Sequence, residues 1–330
     1  MNSHTPTHHR PLRVALLAGG KSGEREVSLA GARGVEKALD PAKYQVKRYD
    51  PATDMARLAA EAGELDVVFI LLHGRFGEDG TVQGFLDLIG LPYQGSGVLG
   101  SALAMDKDTA KTLYRAHGLP VSAWRMATPA DGADPAAILA ELALPLVVKP
   151  VRQGSSLGMS IAKSADELAT AIAKAFRYDQ EVMVEQYVKG REITCGVIGN
   201  DQLTALPLVE IIPGEGHPFF DYQAKYQAGA SREICPAQVP EEIRREAQQY
   251  ALTAHRALKL RGYSRTDMIV SADGIVVLET NTIPGMTPTS LLPQAAAAAG
   301  LPFAALLDRL LVLALEDHTR KLAAADGHGA

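Results

Sequence analysis

Two apolar segments near the C-terminal end of the sequence, separated by a short turn, place the strongest constraint on the fold. They span residues 265–270 and 275–281, and both are rich in β-branched side chains. The four residues between them end in Asp-Gly, a pair typical of hairpin turns. We therefore expect an antiparallel β-hairpin, buried on both faces because its other side chains are mostly Met, Ile, Val and Leu.

Polar side chains recur at alternate positions of this predicted hairpin. Residues two apart on a strand share a face, so Arg265 and Asp267 point the same way. Glu279 and Asn281 share a face for the same reason. Pairing the strands symmetrically about Asp273 places Asp267 opposite Glu279. The four side chains are then expected to form one cluster.

This cluster has two interpretations. One is a solvated face with scattered charges, the usual setting of such residues. The other, which the apolar surroundings favour, is a cation site, because unpaired buried charges are costly. Two carboxylates and an amide oxygen, completed by phosphate oxygens and water, suit Mg²⁺ beside a nucleotide. The Pro/Gly/Thr-rich residues 282–290 that follow offer N–H groups and hydroxyls suited to an anion.

Length, charge and cysteine content bound the class of protein. The 330 residues suffice for two or three domains. A net charge of −5 without a basic block argues against nucleic acid or a membrane surface as a partner. Cys195 and Cys235 lack metal-type spacing and fit a reducing compartment. Because no signal peptide and no long apolar run is apparent, we expect a cytoplasmic protein.

Strands alternate with helices through the first third of the chain. Strands at residues 13–18, 44–49 and 67–72 predict a parallel sheet with helices on both faces. A Gly/Ser break near residue 97 ends this unit, and a single helix over residues 101–117 is expected to lead into the next.

The rest of the chain is expected to form two further units, the second beginning near residue 190. One strand is predicted over residues 203–212, followed by an irregular segment at 213–236 that has the length of a lid. Lys225 and Tyr226 lie in this segment, where a cation and a phenol fit closure over a phosphate; a plain surface loop is the alternative. The tail after Thr319 is expected to fray.

Two lysines and a Gly/Ser loop indicate phosphate binding. Lys149 ends an apolar strand, and lysine binds phosphate as a point charge. Lys149 is accompanied by Lys107, the loop at residues 153–158 and the hairpin carboxylates. Together these features indicate nucleotide-triphosphate chemistry without a P-loop. Residues 95–100 match the G-x-G-x-x-G pattern of dinucleotide sites but lack its strand and its acid, so that alternative is weaker.

Other polar residues lie at the ends of predicted strands. Glu24 follows a Gly-rich turn, at the edge where open α/β sheets bind ligands, and its carboxylate suits an ammonium group. His73 also follows a strand, and both a structural and a ligand role are open to it. Candidate adenosine contacts, with edge charges as the alternative, are Glu185, Glu192 and the backbone at Tyr187 and Val188.

Several short motifs occur along the chain in the order found in a known family. They are Glu24-Arg25-Glu26-Val27-Ser28-Leu29, His73-Gly74-Arg75, Met105-Asp106-Lys107, Val148-Lys149-Pro150, Gly154-Ser155-Ser156, Ala224-Lys225-Tyr226 and Glu279-Thr280-Asn281-Thr282-Ile283-Pro284-Gly285-Met286-Thr287. Together they resemble the D-alanine–D-alanine ligase family of the ATP-grasp superfamily, over about residues 13–314.

The resemblance implies an α/β chain, α+β in its ATP-grasp part, with three domains. These are an N-terminal Rossmann-like parallel-sheet domain at residues 1–97, a central ATP-grasp subdomain at 98–189 and a C-terminal subdomain at 190–330. ATP would lie between the antiparallel sheets of the second and third. The implied enzyme joins two D-alanines through an acyl phosphate, releasing ADP and phosphate, for peptidoglycan synthesis. Its partners would be D-alanine, ATP and a second copy of the chain in a homodimer.

The resemblance also implies roles for individual residues. The ATP phosphates would contact Lys107, Lys149 and Lys225. Adenosine would be held by Glu185, Glu192 and the backbone near Tyr187 and Val188. Two Mg²⁺ ions, with Mn²⁺ as a substitute, would be held by Asp267, Glu279 and Asn281.

For the amino-acid substrates, the resemblance places the ammonium of the first D-alanine at Glu24, with His73 nearby. Arg265 and the N–H of Gly285 would stabilise the oxyanion. The carboxylate of the second D-alanine would bind at Ser290 and the N–H of Leu291. Ser155 and Tyr226 would link the lid to Glu24.

Three alternatives differ in substrate or class. A D-alanine–D-lactate ligase or another ATP-grasp carboxylate–amine ligase would share the fold, although Tyr226 after Lys225 is similar to the dipeptide-forming type. A nicotinamide-dependent oxidoreductase would use residues 95–100. A non-catalytic amino-acid-binding protein would need neither the hairpin cluster nor Lys149.

Overall fold

The computed structural model describes residues 10–214 and 231–326, and its strands form three sheets. Each sheet falls within one of the three expected domain segments. The domain boundaries themselves stay a prediction.

The first sheet is parallel, with strand order β2-β1-β3, as the alternation of strands and helices predicts. Alternate side chains of its central strand pack on opposite faces. Leu16 belongs to a core that includes Val35 of the first helix, whereas Leu17 belongs to a core that includes Leu58 and Leu86 of the next two. The elements are β1 (Leu12–Ala18), α1 (Arg25–Ala38), β2 (Tyr44–Tyr49), α2 (Met55–Ala60), β3 (Val67–Leu71) and α3 (Thr81–Leu88).

The second sheet is antiparallel, with order β4-β7-β5-β6. Its strands are β4 (Trp124–Ala127), β5 (Leu146–Pro150), β6 (Ser160–Ala162) and β7 (Val182–Gln186). The helices of this part are α4 (Val98–Met105), α5 (Lys107–Ala116), α6 (Ala136–Leu139) and α7 (Ala165–Ala175).

The single helix expected over residues 101–117 is wrong, because Asp106 divides it into α4 and α5. The backbone of Asp106 is extended, and its carboxylate accepts a hydrogen bond of 2.9 Å from the N–H of Thr109. This is an N-cap arrangement, which satisfies a free N–H at the start of a helix. Lys107 is consequently the first residue of α5.

The third sheet is also antiparallel, with order β11-β10-β8-β12-β13 and β9 paired to β8. Its elements are β8 (Arg191–Gly199), β9 (Thr204–Ala205), β10 (Val209–Pro213), β11 (Ser231–Ile234), α8 (Glu241–Ala257), β12 (Gly262–Ser271), β13 (Gly274–Asn281), α9 (Leu291–Ala298) and α10 (Phe303–Asp326).

Three expectations for this region are corrected. The strand predicted over residues 203–212 is two strands, β9 and β10, and the segment expected to be irregular contains β11. The chain after Thr319, expected to fray, continues as helix to Asp326. Within this last stretch, Arg320 forms ion pairs with Asp201 and Asp317, which hold it against the preceding chain.

The hairpin of β12 and β13 forms with a different turn from the one expected. Ser271 pairs with Gly274, so the turn has two residues and the pairing at the tip is shifted by one from that expected. A β-bulge at Leu278 then adds one residue to β13. Asp267 consequently pairs with Glu279, as predicted.

The helices were also compared with the length and apolarity that a membrane span requires. Within residues 10–214 and 231–326, no single helix reaches both. Only Leu291–Ala298 and Phe303–Ala324, counted together across a bend of 102°, do so by length and composition.

Candidate active site

A cavity lies between the second and third sheets. The second sheet contributes Val147, Lys149 and Glu185 to its lining. The third contributes Glu192, Asp267, Ile269, Leu278 and Glu279. The bulged Leu278 thus points into the cavity alongside the two carboxylates of the hairpin, and the loop at residues 153–157 covers the space.

Arg265, Asp267, Glu279 and Asn281, named here the hairpin cluster, lie together as the strand alternation predicts. Asp267 accepts hydrogen bonds from Arg265 at 2.9 and 2.8 Å and from the Asn281 amide at 3.0 Å. Thr194, its cross-strand neighbour on β8, donates to the same carboxylate at 2.6 Å. These bonds hold the buried carboxylate in one orientation.

Lys107 joins this cluster to the phosphate side of the cavity. Its Nζ lies 3.9 Å from Glu279 Oε2 and donates to the carbonyl of Gln153 at 2.7 Å. The start of α5, set by Asp106, therefore brings a buried ammonium group between the hairpin and the covering loop.

Lys111, Lys149 and Glu185, with Ser122, form a second group, named here the lysine–glutamate cluster. Strands β5 and β7 pair with Val147 opposite Glu185, so Lys149 is a diagonal neighbour that its long side chain can bridge. Lys149 Nζ lies 2.5 Å from Glu185 Oε1, and Lys111 Nζ lies 2.7 Å from Oε2.

The charge of Glu185 is determined by these neighbours. Burial would raise the pKa of Glu185, but Lys149 and Lys111 outweigh burial and lower it to about 2. The carboxylate is therefore ionised at neutral pH, with both of its oxygens engaged by lysines.

Glu24 and Ser155 meet across two parts of the chain, since the Ser155 hydroxyl donates to the Glu24 carboxylate. Glu24 precedes α1, and Ser155 lies in the covering loop, where Ser155 and Ser156 adopt positive φ of 50° and 58°. Such values are uncommon for residues other than glycine and concentrate at ligand sites.

His73 and Glu78 lie next to Glu24. Burial lowers the pKa of His73, an effect that the charge of Glu24 opposes and that of Arg265 reinforces. Burial and the charge of Glu24 raise the pKa of Glu78 to about 8. Glu78 accepts hydrogen bonds from the N–H groups of Gly74 at 2.7 Å and Ile283 at 3.3 Å, so it connects the His73 loop to the segment after the hairpin.

The segment after the hairpin brings Gly285, Ser290 and Leu291 together. A Cβ at Gly285 would lie only 3.0 Å from the Ser290 hydroxyl oxygen, so a larger residue would require the Ser290 side chain to shift. The Ser290 hydroxyl also accepts from the N–H of Thr287 at 3.0 Å. Leu291 is the first residue of α9, where N–H groups have no intrahelical acceptor and favour anions.

Glu185, the first of the predicted adenosine contacts, lies in the lysine–glutamate cluster. Tyr187, Val188 and Glu192 all line the cavity. The N–H of Tyr187 donates to the carbonyl of Pro145 at 3.2 Å. Lys225 and Tyr226 lie outside the described residues.

The polar residues of the site that were missed from the sequence are Lys111, Ser122, Glu78 and Thr194. Lys111 lies four positions after Lys107, a helical spacing that could have placed both on one face of α5. Glu78 lies within the glycine-rich segment that follows His73. Thr194 carried no local signal, because its contact depends on the pairing of β8 with β12.

The hairpin cluster was also tested as a metal site. Within the described residues, no group of three or more His, Cys, Asp or Glu side chains is placed to bind a metal ion. The hairpin supplies two carboxylates and one amide, a partial set of hard oxygen ligands that phosphate oxygens and water would complete. This composition fits Mg²⁺ that arrives with a nucleotide.

Comparisons with known proteins agree with this geometry. The family model described as D-ala D-ala ligase C-terminus matches residues 113–312, and the one described as D-ala D-ala ligase N-terminus matches residues 47–96. The D-alanine--D-alanine ligase of Desulfotalea psychrophila is 59% identical over 307 residues, covering 92% of this chain and 95% of its own. That of Syntrophobacter fumaroxidans is 59% identical over 306 residues, covering 93% and 98%.

Solved structures show the same fold. The D-alanine--D-alanine ligase from Bacillus anthracis complexed with ATP is 33% identical, with a TM-score of 0.81, over 94% of this chain and 99% of that one. The VanG D-Ala:D-Ser ligase from Enterococcus faecalis is also 33% identical, with a TM-score of 0.80, over 92% and 100%.

The fold is that of an ATP-grasp enzyme. The chain belongs to the D-alanine–D-alanine ligase family.

Proposed function

We propose that this enzyme joins two D-alanines into D-alanyl-D-alanine and converts ATP to ADP and phosphate. The observation that carries the proposal is that Lys107, Lys149, Asp267 and Glu279 converge on one cavity between two antiparallel sheets. The ammonium groups of the lysines can bind phosphate, and the carboxylates can bind a divalent ion. Phosphoryl transfer requires both of these parts.

The reaction begins with activation of a carboxylate, which is a poor electrophile. A carboxylate oxygen of the first D-alanine attacks the γ-phosphorus of ATP, the bond to the bridging oxygen breaks, and ADP leaves. Lys107 and Lys149 offset the charge on the transferring phosphoryl group. Mg²⁺ held by Asp267, Glu279 and Asn281 would neutralise further phosphate charge.

In the second step, the amine of the second D-alanine attacks the acyl phosphate carbonyl, and phosphate leaves as the amide forms and the amine loses a proton. The guanidinium of Arg265 and the N–H of Gly285 would stabilise the oxyanion. The hydroxyl of Ser290 and the N–H of Leu291 would bind the carboxylate of this substrate.

Glu24 would bind the ammonium of the first D-alanine, with His73 beside it. The Ser155–Glu24 hydrogen bond supports this assignment, because it holds the carboxylate beneath the covering loop. Lys225 and Tyr226 lie outside the described residues; in the proposal, Lys225 would contact phosphate and Tyr226 would extend the link to Glu24. Exclusion of water protects the acyl phosphate from hydrolysis.

We also propose that the enzyme is a cytoplasmic homodimer and that its dipeptide product is used in peptidoglycan synthesis. Sedimentation at several protein concentrations tests the dimer.

Two other second substrates, D-serine and a hydroxy acid, are the alternatives to D-alanine. The structural neighbour from Enterococcus faecalis is a D-Ala:D-Ser ligase, and a hydroxy acid such as D-lactate could enter the same site in a related enzyme. The curated relatives at 59% identity favour D-alanine.

The deciding experiment measures phosphate release and product from ATP and Mg²⁺ with D-alanine alone, L-alanine alone, or D-alanine plus D-serine or D-lactate. We expect release with D-alanine alone, matched by an equal amount of dipeptide. Release that requires D-serine or D-lactate would reassign the second substrate. No turnover with any of them would refute the proposed reaction.

A further inference from the structure

Lys111 lies behind the cavity. It is fully buried, and the described residues that line the cavity include Ser122, Lys149 and Glu185 but not Lys111. Its Nζ donates to the Ser122 hydroxyl at 2.8 Å and to Glu185 at 2.7 Å. Lys111 can therefore act on a nucleotide only through these neighbours.

Glu185 is shared between two lysines, of which Lys149 lines the cavity and Lys111 does not. Lys149 reaches one carboxylate oxygen from the cavity side, whereas Lys111 and the Ser122 hydroxyl hold the other from within the protein. Lys111 is further confined by Trp124, whose ring centre lies 5.2 Å from its Nζ.

Two anions compete for Lys149 when a nucleotide enters. Its ammonium can neutralise either a phosphate group or Glu185. Suppose that Lys149 were the sole partner of Glu185. If Lys149 then moved to the phosphate, the buried carboxylate would be left unpaired, which is costly. That carboxylate would also lie close to the negatively charged nucleotide. Lys111 removes this conflict, because two lysines and one carboxylate carry one excess positive charge.

We propose that Lys111 is a positioning residue for ATP: it keeps Glu185 neutralised, so that the Lys149 ammonium remains available to the nucleotide phosphates. The inference rests on the proposed use of ATP and adds a residue that does not touch the substrate.

The test compares Lys111→Met with Lys163→Met, the same substitution at an exposed lysine. Binding of the non-hydrolysable analogue AMP-PNP with Mg²⁺ is measured by calorimetry, and KM for D-alanine by phosphate release. We expect the Kd of AMP-PNP to rise about tenfold or more in Lys111→Met, since truncating one partner of a buried charge pair is strongly unfavourable. KM for D-alanine should change far less, and Lys163→Met should bind like the wild type.

A second substitution separates charge from packing. In Glu185→Gln, the carboxylate that captures Lys149 is gone, so adding Lys111→Met to this variant should cost little further AMP-PNP affinity. A residue that only fills space behind the sheet would cost the same affinity in both backgrounds.

An unchanged Kd in folded Lys111→Met, or an equal loss of affinity when Lys111→Met is added to Glu185→Gln, would overturn the inference. If Lys111→Met does not fold by circular dichroism, Ser122→Ala, which removes a smaller partner of the same oxygen, must weaken AMP-PNP binding, and an unchanged Kd there overturns it. Wild-type protein that binds no AMP-PNP would instead refute the proposed use of ATP.

Discussion

The hairpin cluster and the lysine–glutamate cluster face the same cavity but are assembled differently. All four members of the hairpin cluster lie on two strands joined by a two-residue turn. The members of the lysine–glutamate cluster come from α5, from the segment before β4 and from the paired strands β5 and β7, which are separate parts of the chain. The first cluster presents oxygens and the second ammonium groups.

The two clusters stabilise their buried carboxylates in different ways. Asp267 is held by neighbours on adjacent strands of one sheet, with donors from Arg265, Thr194 and Asn281. Glu185 is held by two lysines, one at each carboxylate oxygen. Substitutions in the first cluster should therefore affect turnover and the metal requirement, and those in the second should affect nucleotide affinity.

The largest effect is expected for Glu279→Gln, which keeps the shape of a candidate metal ligand but removes its charge. We expect kcat to fall by about two to three orders of magnitude and the dependence on Mg²⁺ to weaken, because metal-assisted charge stabilisation supplies several kcal/mol. Kinetics across a Mg²⁺ titration checks this, with Glu64→Gln, at an exposed position, as the control. Near-normal turnover would remove Glu279 from the metal site.

Lys149→Met should show the contrasting behaviour of the second cluster. KM for ATP should rise by about ten- to a hundredfold, because a buried ammonium that neutralises phosphate is lost. The apparent Mg²⁺ requirement should shift much less than in Glu279→Gln. Steady-state kinetics with varied ATP measures the KM. A variant with the wild-type KM for ATP would show that the two clusters do not have separate roles.

A smaller effect is expected for Thr194→Val, which removes only the hydroxyl that donates to Asp267. A hydrogen bond to a charged group contributes about 1.5–3 kcal/mol, so the Mg²⁺ concentration for half-maximal rate should rise several-fold or more. High Mg²⁺ should restore most of the rate. Equal Mg²⁺ titration curves for the variant and the wild type would show that Asp267 does not need this donor.

The smallest effect concerns Glu78, which links the first sheet's loops to the segment after the hairpin. Its pKa is raised to about 8 in the folded protein, so the folded state binds the proton more tightly than the unfolded chain. Its contribution to stability is therefore present below the unfolded pKa and is lost as pH rises toward 8.

Glu78→Gln should remove this contribution. The melting temperature of the wild type relative to Glu78→Gln should therefore fall by a few degrees between pH 5 and pH 8, which thermal unfolding without ligands measures. A difference that is constant with pH would show that Glu78 titrates as in the unfolded chain.

The sequence by itself was sufficient for features that depend on local periodicity and on motif order. Strand alternation placed Arg265, Asp267, Glu279 and Asn281 on one face, and helix–strand alternation indicated the parallel first sheet. The pairing of Asp267 with Glu279 was predicted through a turn of the wrong length, and the bulge at Leu278 compensated for the error. The motifs also identified the family, because they are short stretches in a set order.

Tertiary structure decided whatever depends on contacts between distant elements. Asp106 ends one helix and caps the next because its extended backbone lets its carboxylate accept from Thr109, and no periodicity shows this break. The engagement of Glu185 by two lysines, and of Asp267 by Thr194, depends on strand register and on helix packing. Pairing between strands and packing between layers place groups from separate segments within hydrogen-bond distance, whereas a local pattern specifies only which side of its own element a residue occupies.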